Sequence, residues 1–121
     1  MSETKSKRPR RIVRVMDLAD DPAVWAEYDA AHRPGGVTQA VLDAQRRHGI
    51  IDMEIFRAGN RLVMLMQVDP LFDGDAMDAE KAADPAMAEW ERRMGTLQRA
   101  PLADGTGWPE AALVFRQSDH P

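Results

Sequence analysis

Leu62-Val63-Met64-Leu65-Met66 constrains this chain more than any other stretch. It is continuously apolar, as expected for a central strand covered on both faces. A fold that places helices against one face of such a strand leaves the other face in want of a cover. The economical cover is the same face of a second copy.

The flanking sequence predicts what surrounds that strand. Residues 12–18 read as a strand rich in β-branched residues. Asp21-Pro22 is a helix N-cap followed by proline at the first helical position. The helix it opens runs to about residue 32, with Trp25, Tyr28 and His32 on one face. Pro34-Gly35-Gly36 breaks it, and a second helical pattern carries Val37, Val41 and Ala44 on a stripe, with Gly49 as C-cap. Residues 50–57 read as a strand, with Ile51, Met53 and Ile55 facing one way and Asp52, Glu54 and Phe56 the other. Gly59-Asn60 is hairpin turn chemistry. Residues 69–83 form an acidic connection with room for a turn or two of helix. Asp84-Pro85 repeats the cap signal, and Met87, Trp90, Met94 and Leu97 make one apolar helical stripe. Residues 111–116 read as the last strand.

The resulting order, β-α-α-β-β-α-β, is α+β: a ferredoxin-like antiparallel sheet with helices on one face. Two copies packed sheet to sheet would make a dimeric α/β barrel. Residues 1–11 are expected to be a flexible basic tail, 12–117 a single domain, and 118–121 a C-terminal tail.

Composition excludes several functions. Lys5, Lys7, Arg8, Arg10 and Arg11 against Glu3 give residues 1–11 a charge of +4, so the rest of a chain with net charge −4 carries −8. Such a body is a poor nucleic-acid surface, because phosphate contacts need a basic face. No apolar run is long enough to span a membrane. There is no cysteine, hence no disulfide, thiolate metal site or cysteine nucleophile. This fits a cytoplasmic protein. Three histidines, His32, His48 and His120, leave little material for a metal centre. Nucleotide, phosphate-loop and metalloprotease signatures are missing, so neither a cofactor nor a metal is expected.

His32 is the strongest chemical candidate, because histidine gives and takes a proton near neutral pH. Tyr28, one turn earlier, can orient it or a ligand. The same spacing equally suits a hydrogen-bonded histidine packed beside Trp25. Trp90 can stack on a sugar ring or fill the core. Glu54 and Asp52 can bind a polyol, perform acid–base work or line a solvated strand face. His48 fits a helix C-terminus.

Tyr28-Asp-Ala-Ala-His32-Arg-Pro34 resembles a segment of the L-rhamnose mutarotase family. So do the opening strand Arg14-Val-Met, His48-Gly-Ile-Ile-Asp-Met-Glu-Ile-Phe56, the strand Leu62–Val68, and Ala88-Glu-Trp90 with Met94. These stretches cover about residues 11–117. The resemblance implies a dimeric ferredoxin-like protein that interconverts the α and β anomers of a deoxy sugar such as L-rhamnose or L-fucose without a cofactor. It implies His32 as proton donor, Tyr28 as a sugar contact and Trp90 as the stacking aromatic. Two sugar-contacting positions depart from the family, with Met53 and Glu91 where aromatics are frequent. The alternatives on the same fold are a non-catalytic sugar or small-metabolite binding module and a cofactor-free oxygenase-like enzyme.

Overall fold

The computed structural model describes residues 10–121. The basic tail expected over residues 1–11 therefore lies, up to residue 9, outside the described residues. Arg10 and Arg11 belong instead to the first strand, β1 (Arg10–Leu18), opposite Val68 and Gln67.

After β1 come helices α1 (Pro22–Ala31) and α2 (Gln39–Arg47), then the hairpin β2 (Ile50–Ala58) and β3 (Arg61–Val68). Helices α3 (Gly74–Ala83) and α4 (Pro85–Leu97) follow, and α4 runs straight into β4 (Gln98–Arg99). One antiparallel sheet is formed, in the order β2-β3-β1-β4. This is the ferredoxin-like α+β plan.

Local chemistry explains the boundaries. Asp21 accepts a hydrogen bond from Ala23 N (2.9 Å) with Pro22 behind it, and Asp84 accepts from Ala86 N (2.9 Å) and Met87 N (3.1 Å) with Pro85 behind it. Each cap satisfies amide groups that the first helical turn leaves without a partner. The acidic connection forms a full ten-residue helix, α3, capped by Asp73. Its apolar pattern is weak because Met77 alone is buried.

The ladder fixes which side chains meet the helices. Ile12 stands opposite Met66, Arg14 opposite Met64 and Met16 opposite Leu62. On this helix-facing side Met16, Leu18 and Leu62 build one core cluster with Tyr28, Val41, Met87, Trp90 and Met94, and Ile12, Met66 and Val68 build a second with Ile50 and Met77. Val13, Val15, Val63 and Leu65 occupy the opposite face and are only half-buried, next to Phe56, which is 54% exposed.

Two expectations need correction. A β-bulge between Ile50 and Asp52 displaces Ile51, which is exposed, so the inward row of β2 is Ile50, Met53 and Ile55 rather than one beginning at Ile51. The extra residue shifts the alternation by one position. Residues 111–116 form no strand. The edge position beside β1 is filled by β4 near Leu18 and, after a loop, by Glu110 opposite Arg14. Leu113, Val114 and Phe115 are left 65–93% exposed.

Leu62 is fully enclosed and Leu71 is 89% exposed. Leu62→Ala is expected to cost about 2–5 kcal/mol in urea unfolding with an unchanged m-value. Leu71→Ala should stay within about 0.5 kcal/mol.

Candidate active site

A cavity of about 1130 Å³ lies between the sheet and the helices. Its floor is the inward row Arg14, Met64 and Ile55, with Met53 and Met66 one position along. Its walls include Tyr28, His32 and Trp90.

Helix α1 presents the first two of these. Its last turn tightens, because the His32 backbone N–H bonds Asp29 O (3.2 Å) instead of the carbonyl four residues back. That carbonyl, Tyr28 O, lies 2.8 Å from His32 Nδ1. A carbonyl can only accept, so Nδ1 carries a proton and donates it. In the neutral ring Nε2 is then the bare nitrogen, and it has no protein partner among the described residues. Gly36 secures the end of the helix. A Cβ there would stand 2.5 Å from Ala31 O, so only glycine lets the chain fold back this closely.

The aromatic rings hold the imidazole in place. The Tyr28 ring lies 4.1 Å from it, tilted by 31°, and Trp90 meets it edge-on at 5.3 Å. Tyr28 and Trp90 are both buried, while His32 is half-buried. Burial pushes the Tyr28 phenol well above its ordinary 10.0, against a smaller opposing pull from the Gln98 side chain. The phenol therefore stays neutral and serves as a hydrogen-bond donor rather than a standing base.

Ion pairs tie together the elements around the cavity. Lys81 Nζ pairs with Glu91 Oε1 at 3.2 Å, joining α3 to α4 at the cavity lining. Arg57 holds Asp29 in a two-point contact (2.7 and 2.8 Å), fixing α1 to β2. That pairing holds the Asp29 carboxyl below its ordinary value.

The structure thus brings together five of the predicted site residues: His32, Tyr28, Trp90, Met53 and Glu91. It does not bring Glu54 there. Glu54 stands opposite Leu65 on the other face of the sheet, exposed, because strand alternation sends it away from Met53. His48 caps α2 and bonds Glu80 Oε1 at 2.8 Å, outside this cavity. Residues missed by sequence reasoning are Arg14, Lys81, Gln98 and Trp108. Arg14 left a signal, since it is a charge at an inward position between Ile12 and Met16. Trp108 sits in an aperiodic loop and left none.

Among the described residues, no group of three or more His, Asp or Glu is placed to hold a metal ion. No helix there is long and apolar enough to cross a membrane.

The comparisons with known proteins place this chain among the sugar mutarotases, a class of isomerases. Residues 11–117 match the family model described as L-rhamnose mutarotase, and the chain belongs to that family. It is 41% identical over 112 residues to the L-fucose mutarotase of Xanthomonas campestris pv. campestris, covering 91% of this chain and 90% of the relative. Its fold is similar to that of an L-rhamnose mutarotase from Formosa agariphila, with a TM-score of 0.62 and 18% identity, covering 89% of this chain and 98% of that one. It is also similar to the tetracenomycin F2 cyclase of Streptomyces glaucescens, a type-II polyketide cyclase, with a TM-score of 0.59 and 20% identity over 88% and 95% of the two chains. At such identities both structures speak for the fold alone.

Tyr28 is the single tyrosine of the chain. Tyrosinate absorbance therefore reports it alone, and none should develop as pH passes 10.0 while the protein stays folded. The folded state holds this proton more tightly than the unfolded chain does. Its contribution to stability is thus complete below the unfolded value of 10.0 and is lost as pH climbs above it.

Proposed function

We propose that this cavity interconverts the α and β anomers of L-fucose, with His32 as the proton-transferring residue. The observation that carries the reading is the His32 ring itself. One nitrogen is committed to the helix, the other is bare, and Tyr28 and Trp90 hold the ring in a cavity of sugar size or larger. The choice of sugar follows the name of the Xanthomonas relative.

Mutarotation requires two proton movements. The ring oxygen gains a proton as its bond to the anomeric carbon breaks. The anomeric hydroxyl loses one as the aldehyde forms. Rotation about the first carbon–carbon bond and reclosure, with the protons returned, gives the other anomer. His32 in its charged form donates from Nε2 to the ring oxygen, and solvent water accepts the anomeric proton. In its neutral form the bare Nε2 takes a proton back. Tyr28 donates a hydrogen bond to a sugar oxygen, and Trp90 packs against the C–H face of the ring. Met53 and Glu91 complete the sugar contacts.

The working form in this reading is a homodimer joined through the sheets. Val13, Val15, Val63, Leu65 and Phe56 supply an apolar face that helices do not bury, and Leu113, Val114 and Phe115 add further exposed apolar surface. A chain without cysteine acting on a small sugar fits the cytoplasm. Light scattering at micromolar concentration should give twice the monomer mass, and a folded monomer would remove the dimer from the proposal.

The catalytic reading is tested by NMR exchange spectroscopy on L-fucose and L-rhamnose. His32→Gln keeps size and one donor but cannot exchange a proton near pH 7. Exchange should fall about 10²-fold or more, which is the scale of general acid–base catalysis. Affinity should change far less, since a neutral hydrogen bond is worth about 1 kcal/mol. Retained activity would move proton transfer to another residue. Binding without acceleration in the unaltered protein would leave a sugar-binding module.

A further inference from the structure

We infer that Trp108 is a second sugar-stacking residue that sets substrate specificity, and that Arg14 positions it. The inference rests on the mutarotase reading and concerns the same cavity.

Trp108 reaches the cavity from the loop between β4 and Glu110. It packs against the core cluster that contains Met16, Tyr28 and Trp90, and it remains half-buried, with surface left for a ligand. Its φ of +50° lies in the left-handed region that bulky side chains avoid. Among the described residues no other non-glycine adopts a positive φ. A strained bulky residue persists only where its surroundings determine it.

Those surroundings are visible on both sides. Val15 N donates to Pro109 O (3.1 Å), and Ala111 N donates to Val13 O (2.7 Å), which anchors the chain after Trp108 to the edge of β1. Arg14 Nη1 donates to Trp108 O at 3.2 Å. Arg14 is itself an inward side chain on the cavity floor, with no carboxylate partner among the described residues. Its guanidinium therefore serves the loop rather than a surface ion pair. A pyranose profits from this arrangement. A deoxy sugar has an apolar C–H face and an apolar methyl group, and an indole offers a broad apolar surface with one N–H donor. Trp90 enters from helix α4 and Trp108 from the sheet edge, so the cavity has two indoles from independent elements.

The test uses the full chain and the same exchange assay on L-fucose and L-rhamnose. Trp108→Ala should raise KM roughly tenfold while kcat stays within about twofold, and Trp108→Phe should recover most of the loss. The increase should differ between the two sugars. Arg14→Met should raise KM in the same direction, Arg14→Lys should recover part of it, and Arg14→Met should add little in a Trp108→Ala background, because coupled residues are not additive. The chain has three tryptophans, so three indole N–H signals can be followed during sugar titration. Trp90 and Trp108 should shift, while Trp25, bonded to Ala19 O at 2.9 Å, should stay. That readout needs no variant to fold beyond those used for assignment. Acceleration by the unaltered protein with an unmoved Trp108 signal overturns this inference alone. Absence of acceleration on any sugar overturns the mutarotase reading and this inference with it.

Discussion

The β1–β3 ladder is the constraint on which the rest depends. Eight residue pairs run without a break from Arg10↔Val68 to Asp17↔Arg61. Because side chains alternate, a slip of one residue would exchange the two faces completely. Arg14 would then share a face with Val63 or Leu65 instead of Met64, and one of the two strands would present its wrong row to the cavity. The apolar run Leu62–Met66 tolerates either face chemically, so it cannot specify the register alone. β1 does so instead. Its inward row ends in Met16 and Leu18, which are almost fully enclosed, and its outward row ends in Asp17, which pairs with Arg61. Turning Asp17 inward would bury a carboxylate without its partner, which is strongly unfavourable.

With the floor fixed, the walls follow from helix ends rather than helix middles. Helix α1 delivers His32 at the point where its hydrogen bonding changes from four-residue to three-residue spacing. A histidine one turn earlier would have its neighbouring carbonyl engaged by the helix backbone. The ring would then have no local acceptor to choose its tautomer. The placement of the His32 ring is thus tied to the Pro34-Gly35-Gly36 break, although none of these three residues carries a reactive group.

Much of this was legible because the signals are local. Asp21-Pro22, Asp84-Pro85, Gly59-Asn60 and the Met87–Leu97 stripe each depend on residues within a turn or two of one another. The Tyr28–His32 pairing was legible for the same reason. What sequence reading missed depends on long-range contacts. The bulge at Ile51 shows only against β3. Helix α3 is stabilised by packing of Met77 against Ile12 and Val68 and by the Glu80 contacts to Arg47 and His48, not by a strong apolar stripe of its own. Glu54 was legible as a residue of the β2 face opposite Met53, but which of the two faces the cavity takes is settled by the helices packed on the sheet, and they leave Glu54 exposed.

The misread last strand carries the most physical content. β4 and residues 109–111 occupy the same edge of β1, but an excursion over residues 100–108 separates them. The excursion is rich in proline and glycine, which disfavour ladder pairing. It takes the chain off the sheet and returns it beside Arg14, with Trp108 at the point of return. Beyond Ala111 the chain makes no further ladder contact among the described residues, and Leu113-Val114-Phe115 points its apolar side chains to solvent. An open apolar edge segment invites pairing with another chain. One edge therefore governs two features at once: the wall of the cavity that holds Trp108, and the exposed apolar segment that follows it. Shortening the 100–108 excursion would regularise the strand and extend the sheet, but it would withdraw Trp108 from the site.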